Sequence, residues 1–203
     1  MSEIDTRQAI KNSALELLVR HGYRGTSFAD IAQELGTTRA NIHYHFGGKQ
    51  ALVEEVLGDY VQATLAALRA IWAAEHLSLG GKIEAMVSHS RKRFQHFNAG
   101  GRDGQPWSLI SRLRQDAELL SGRGRQMLNH FGSELMAIFA DALSTARSRG
   151  ELASTVHADD AALLLAAIAD NAAPITLTEG GFERLEAIYA SLQRLIEQRA
   201  ERK

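Results

Sequence analysis

An all-α fold of about nine helices is what this 203-residue sequence predicts, on three observations. Only two prolines occur, runs of β-branched residues are absent, and apolar residues recur at spacings of three and four. Each helix can be placed in turn. Ile10, Ala14, Leu17 and Leu18 form a first apolar stripe that ends at Gly22. Ser27 is placed to cap a short second helix, with Ile31, Ala32 and Leu35 inward and Gly36 as its stop. Thr38 caps a third, anchored by Ile42 and Phe46 and closed by Gly47-Gly48. A long fourth helix carries Val53, Val56, Leu57, Tyr60, Thr64, Ala67, Leu68 and Ile71.

Beyond residue 78 the same periodicity predicts four segments and a last helix. Ile83, Val87, Ser90, Phe94 and Phe97 mark the first, before a Gly-rich loop that includes Gly100 to Gly104. Trp107, Ile110, Leu113 and Ala117 mark the second. Leu128, Phe131, Leu135, Ile138 and Ala142 mark the third, which Gly150 ends. A fourth starts near His157-Ala158 and must stop or kink at Pro174. The last runs from Phe182 to about Arg199, with Phe182, Leu185, Tyr189, Leu192 and Ile196 forming the seam of a helix packed along another. In the preceding helix Leu164, Leu165 and Ile168 line one face and Ala162, Ala166, Ala169 and Ala173 the other. That alanine row allows close helix approach. It fits a helix in mid-bundle, and it fits a subunit interface, the preferred expectation. Such an interface would join Ala162, Ala166, Ala169 and Ala173 to Leu185, Tyr189, Leu192 and Ile196.

Composition narrows the function. The chain is 45% hydrophobic and 23% charged, as ordinary globular proteins are. Its start, MSEIDTRQAIK, has no apolar stretch of the length a secretory signal needs. The longest apolar run, Ala161 to Ala169 between Asp160 and Asp170, is too short to cross a bilayer. With no cysteine, disulfides and thiolate chemistry are excluded, and a reducing cytoplasm is the expected compartment. The formal net charge is −1, unevenly spread. Residues 1–49 hold six basic residues (7, 11, 20, 24, 39, 49) against five acidic ones (3, 5, 16, 30, 34), a slightly basic unit on an acidic body.

Residues 27–46 have the proportions of a helix-turn-helix. At 100° per residue Ile42 and Phe46 point into a core, Ala40 and Tyr44 point away, and Asn41 and His43 flank them. A major groove accepts a short helix displayed in this way. The whole stretch GYRGTSFADIAQELGTTRANIHYHFGGKQAL resembles the DNA-binding segment of the TetR family of bacterial transcriptional repressors. The matches include Gly22-Tyr23, Thr26, Ile31-Ala32, Gly36, Tyr44-His45-Phe46 and Lys49-Gln50-Ala51-Leu52, within residues 8–57. His43 stands where the family usually has an aromatic residue.

The resemblance implies a three-helix DNA-binding head at 1–49 and a ligand-binding, dimerising body at 50–203. It implies a homodimer, joined through the last two helices, on a palindromic operator and released by a small molecule. Position by position, Thr38, Arg39, Ala40, Asn41 and His43 would face bases or nearby backbone, and Ser27, Tyr44, His45 and Lys49 would hold phosphates. Asn can pair with adenine, Arg with guanine, and Ala40 can touch a thymine methyl. Ser27 and Thr38 also read as simple N-caps, a role compatible with backbone contact to phosphate. Metal binding by His43 and His45 fails, because residues i and i+2 diverge on a helix.

In the body Met86, His89, Phe94, Phe97, Trp107, Met127, His130 and Phe131 are candidates for an effector pocket, although such residues on a helical stripe also serve as core. No catalytic constellation, metal set or cofactor motif appears. No Gly-rich phosphate loop follows a strand, and neither HExxH nor G-x-S-x-G occurs. Asp116 and Glu118 read as isolated acids, solvated or capping. A non-enzymatic regulator is therefore expected. An activator of the same fold and a helical protein-interaction module with a degenerate head are the alternatives.

Overall fold

A computed structural model describes residues 3–99 and 104–197. The loop residues 100–103 and the end of the last helix near Arg199 lie outside them. Among the described residues there are ten α-helices: α1 Glu3–His21, α2 Phe28–Leu35, α3 Arg39–Phe46, α4 Lys49–Trp72, α5 Leu79–Asn98, α6 Leu109–Gln115, α7 Gly122–Ser148, α8 Ala158–Asp170, α9 Ala172–Thr176 and α10 Gly181–Ile196. A 3₁₀ turn at Ala117–Leu119 follows α6. The all-helical expectation holds.

The count exceeds nine because the chain between His157 and Thr176 is two helices. A proline ring clashes with the carbonyl four residues earlier. For Pro174 that residue is Asp170, where α8 ends; the chain turns at Asn171 and restarts as α9, with Pro174 in its first turn.

The chain forms two compact units that alternate along the sequence: residues 1–63 with 106–130, and residues 64–105 with 131–203. The first unit takes in residues 1–49 together with the start of α4 and with α6. Leu52, Val53, Val56 and Leu57 of α4 are buried, as are Leu109, Ile110 and Leu113 of α6, and these residues join the head helices in the first unit.

That first unit has its core at Ile10, Ala14 and Leu18 of α1, Ile31 of α2, and Ile42 and Phe46 of α3. Each fully buried Ile, Leu or Phe side chain among them stabilises by about 1.5–3 kcal/mol. The amide of Leu109, at the start of α6, donates to the Tyr60 hydroxyl at 3.2 Å, so this helix end has a partner in α4.

The second unit is built around α5, α8, α9, α10 and the later parts of α4 and α7. Trp72 and Phe139 meet edge to face at 4.8 Å. Lys82 is buried, and its ammonium donates to the carbonyl of Trp72, the last residue of α4, at 2.8 Å. A cation on that carbonyl complements the helix dipole.

The α10 seam is one of the buried surfaces here. Phe182, Leu185, Tyr189, Leu192 and Ile196 are all buried within the single chain, where α10 packs on α5, α8 and α9. Ala162 and Ala173 are likewise buried, and Ala166 and Ala169 are partly covered. The expected interface residues thus lie mostly in the chain's own interior, because a 3–4 stripe specifies a packed helix without specifying whose helix covers it. The large apolar side chains left exposed here are others: Leu163 at 60%, Leu164 at 51%, Leu177 at 40% and Leu195 at 72%.

Candidate nucleic-acid interface

Ser27 begins the motif with extended backbone, and its hydroxyl accepts from the amides of Ala29 at 3.2 Å and Asp30 at 3.4 Å. Asp30 returns the bond, accepting from the Ser27 amide at 2.8 Å and from the Ser27 hydroxyl at 2.7 Å. This is a reciprocal capping box. The hydroxyl bond from Ser27, then that from its amide, hold the Asp30 carboxyl below its ordinary 3.8. The charged cap therefore persists through weakly acidic solution and is lost only as pH falls below that value. The same geometry bears on Ser27 as a phosphate ligand. Its hydroxyl hydrogen is taken by Asp30. Ser27 is an N-cap here, with no free side-chain donor.

The turn depends on one glycine. Gly36 has φ of +61°, and the amide of Thr37 reaches back to the Ala32 carbonyl at 2.9 Å. A β-carbon at Gly36 would meet nothing within 4 Å, so the requirement is conformational rather than steric. Thr38 then caps α3, its hydroxyl accepting from the Asn41 amide at 3.1 Å.

The eight residues of α3 divide sharply. Ile42 and Phe46 are buried, while Arg39, Ala40, His43 and Tyr44 are exposed, Tyr44 to 75%. Asn41 and His45 are half-buried. Asn41 donates from its side-chain amide to the Thr37 hydroxyl at 3.0 Å, which leaves its carbonyl oxygen and one amide hydrogen for another partner. The His43 ring packs edge-on to Phe28 of α2, 6.4 Å between centroids, so one flank of this side chain is fixed by the protein. Tyr44 and His45 meet edge to face at 5.3 Å.

Lys49, at the start of α4, places its ammonium 4.3 Å from the centre of the Tyr23 ring. Burial pushes its pKa below the ordinary 10.5, while Asp116 and then Asp30 pull it back. Tyr23 is itself anchored, its amide donating to the Asp116 carboxylate at 2.8 Å. Glu118 pairs with Arg24 at 3.1 Å. Neither acid is isolated, as the sequence suggested; both meet the turn after α1. Gly22 makes this approach feasible, since a β-carbon there would lie 2.5 Å from the Asp116 carboxylate and 2.8 Å from the Arg112 guanidinium.

The periodicity did not reveal Arg7, which reaches from α1 to the end of α3 and to Glu55. Its partner Glu55 is 48 residues away, beyond any local pattern.

The expected effector residues do not gather into one site within either unit. Met86, His89, Phe94 and Phe97 lie on α5, whereas Trp107, Met127 and His130 belong to the other unit and Phe131 to the second. Met86, Phe97, Trp107 and Phe131 are buried, and His130 is exposed. His89 is half-buried with Nε2 unpartnered among the described residues. Burial first, then Arg93 and Lys92, lowers its pKa from 6.5. Two grooves of about 370 Å³, one between α5 and α10 and one between α4 and α7, are lined by none of these eight residues.

With the site's geometry in view, residues 10–56 match the family model described as bacterial regulatory proteins, tetR family. The uncharacterized HTH-type transcriptional regulator YvkB of Bacillus subtilis (strain 168) is 38% identical over 55 residues, 27% of this chain and 29% of that relative. The HTH-type transcriptional repressor BepR of Brucella suis biovar 1 is 25% identical over 165 residues, 81% of this chain and 77% of BepR. A crystal structure of a TetR-family transcriptional regulator from Agrobacterium tumefaciens superposes with a TM-score of 0.83 at 21% identity, covering 97% of this chain and 100% of that one. At that identity the likeness is one of fold.

Proposed function

As a member of the TetR family of transcriptional regulators, this chain is, we propose, a repressor that binds a near-palindromic operator as a homodimer and leaves it when a small molecule binds the body. The observation that carries the proposal is the division of α3. Two buried side chains hold the helix, and Arg39, Ala40, Asn41, His43 and Tyr44 stand on its outer side.

Each residue has a role suited to its chemistry. Asn41 and Arg39 read base edges by hydrogen bonds, and Ala40 permits close approach. Thr38 and the first amides of α3 meet backbone, while Tyr44, His45 and Lys49 hold phosphates. Arg39 is suited to such a role, since it makes no ion pair among the described residues.

The two-fold partner covers the exposed face of the last helices. Leu163, Leu164 and Ala167 on α8, with Ala187, Ala190, Ser191 and Leu195 on α10, are exposed and mostly apolar or small. Self-complementary apolar faces suit an isologous dimer. The two copies of α3 would then lie about 34–36 Å apart, or a multiple of that, to enter successive grooves.

The helix α4 starts at Lys49 in the DNA-binding head and is continuous to Trp72. A small molecule that binds the DNA-incompetent arrangement more tightly shifts the population away from the operator. No cofactor and no catalytic step enters this scheme.

Selection from a random duplex library, followed by footprinting, tests the proposal. The expected result is a two-fold symmetric site protected by one dimer. A protein that enriches no sequence, or protects a single half-site as a monomer, overturns it.

A further inference from the structure

Arg7 of α1 is, we propose, the positioning residue that sets the angle of the recognition helix, and so sharpens base discrimination without itself touching DNA. This rests on the DNA-binding role proposed for α3.

Three separate interactions converge on one guanidinium. One terminal nitrogen donates to the carbonyl of His45 at 2.6 Å. The other donates to both carboxylate oxygens of Glu55 on α4 at 2.5 Å. The guanidinium carbon lies over the Phe46 ring, 4.3 Å from its centre. Arg7 therefore ties the end of α3 to two other helices at once.

The end of α3 needs such a tie. An eight-residue helix is too short to hold its shape alone, and its last carbonyls lack intrahelical partners. At the N-terminus Thr38 supplies a cap, and Gly47 closes back on His43 at 2.7 Å. The His45 carbonyl is satisfied from outside the helix, by a cation at the negative end of its dipole. Ile42 and Phe46 fix the depth of α3 in the core. Two side chains on one line leave rotation about that line open, and the bond from Arg7 to the His45 backbone resists it.

Arginine suits this place where lysine would not. A carbonyl, a carboxylate and a ring face are engaged together only by a planar group with several fixed donors. The groups on the guanidinium already include both oxygens of one carboxylate, so its charge is balanced locally by Glu55 rather than offered to a phosphate.

The test compares wild type, Arg7→Gln and Glu55→Gln on the selected operator and on a scrambled duplex, across a range of salt. Arg7→Gln is expected to lower the ratio of operator to scrambled affinity about tenfold or more, with the slope of log affinity against log salt unchanged. Glu55→Gln is expected to act in the same direction and more weakly, because Arg7 keeps its bond to the His45 carbonyl. If Arg7→Gln fails to fold, Glu55→Gln carries the comparison.

A slope lower by roughly 2 per dimer in Arg7→Gln would mean that each Arg7 neutralises a phosphate, and it overturns the positioning role. An unchanged affinity ratio in both variants also overturns it. These failures are distinct from failure of the DNA-binding proposal itself, in which wild type shows no operator preference and both ideas fall together.

Discussion

Asn41 is held before any DNA arrives, its side-chain amide bonded to Thr37 and its backbone amide capped by Thr38. Such preorganisation lowers the entropy lost on contact and favours a base-reading role. Tyr44 and Lys49 differ in kind. Tyr44 projects into solvent, and Lys49 is half-buried with its ammonium on the Tyr23 ring. Asn41→Ala should relax discrimination at one base pair by about 1–3 kcal/mol, whereas Tyr44→Ala and Lys49→Ala should weaken binding to all duplexes alike. Affinities measured against a panel of single-base operator variants separate the two patterns. An Asn41→Ala protein that ranks the panel as wild type does removes its base-reading role.

At the scale of the element, local and long-range signals fared differently. The caps at Ser27 and Thr38, the stop at Gly36 and the inward pair Ile42 and Phe46 were legible, because caps, turns and helical stripes are written within a few residues of one another. Contacts that brace the head were not. Tyr23 meets Asp116 across 93 positions, and no periodicity announces that pairing. The α10 seam was legible as a packed stripe but its partner was not, since its own chain covers it.

Gly36 gives a direct check on the turn. Gly36→Ala should destabilise by about 1–2 kcal/mol in chemical denaturation, entirely through backbone strain, since a methyl would meet no neighbour. An unchanged midpoint would show that the turn does not depend on the left-handed conformation.

A second pair of substitutions distinguishes exposed from buried apolar residues in the last helices. Leu164→Asp should yield a folded monomer by sedimentation, because Leu164 is exposed at the proposed two-fold face. Leu185→Ala should instead lower folding stability by about 2–5 kcal/mol, because Leu185 is fully buried. A Leu164→Asp protein that remains dimeric places the interface elsewhere.

For the molecule as a whole, the charge distribution asks for an electrostatic account. The net charge is −1, so attraction to DNA must come from the local basic surface of the head rather than from the protein overall. Among the described residues, no helix is long and apolar enough to cross a membrane. Most of the fold class was readable from composition and stripe. An effector site was not, because Met86, Phe97, Trp107 and Phe131 have the same residue types whether they line a cavity or fill a core, and here they are buried.

The most direct measurement is operator affinity as a function of salt between 50 and 200 mM. A dimer presenting two copies of α3 and Lys49 to about 6–10 phosphates should lose roughly 10³–10⁵-fold in affinity across that range, while retaining its preference for the selected site. A nearly flat response, or equal affinity for the selected site and a scrambled duplex, would contradict an interface built on that helix.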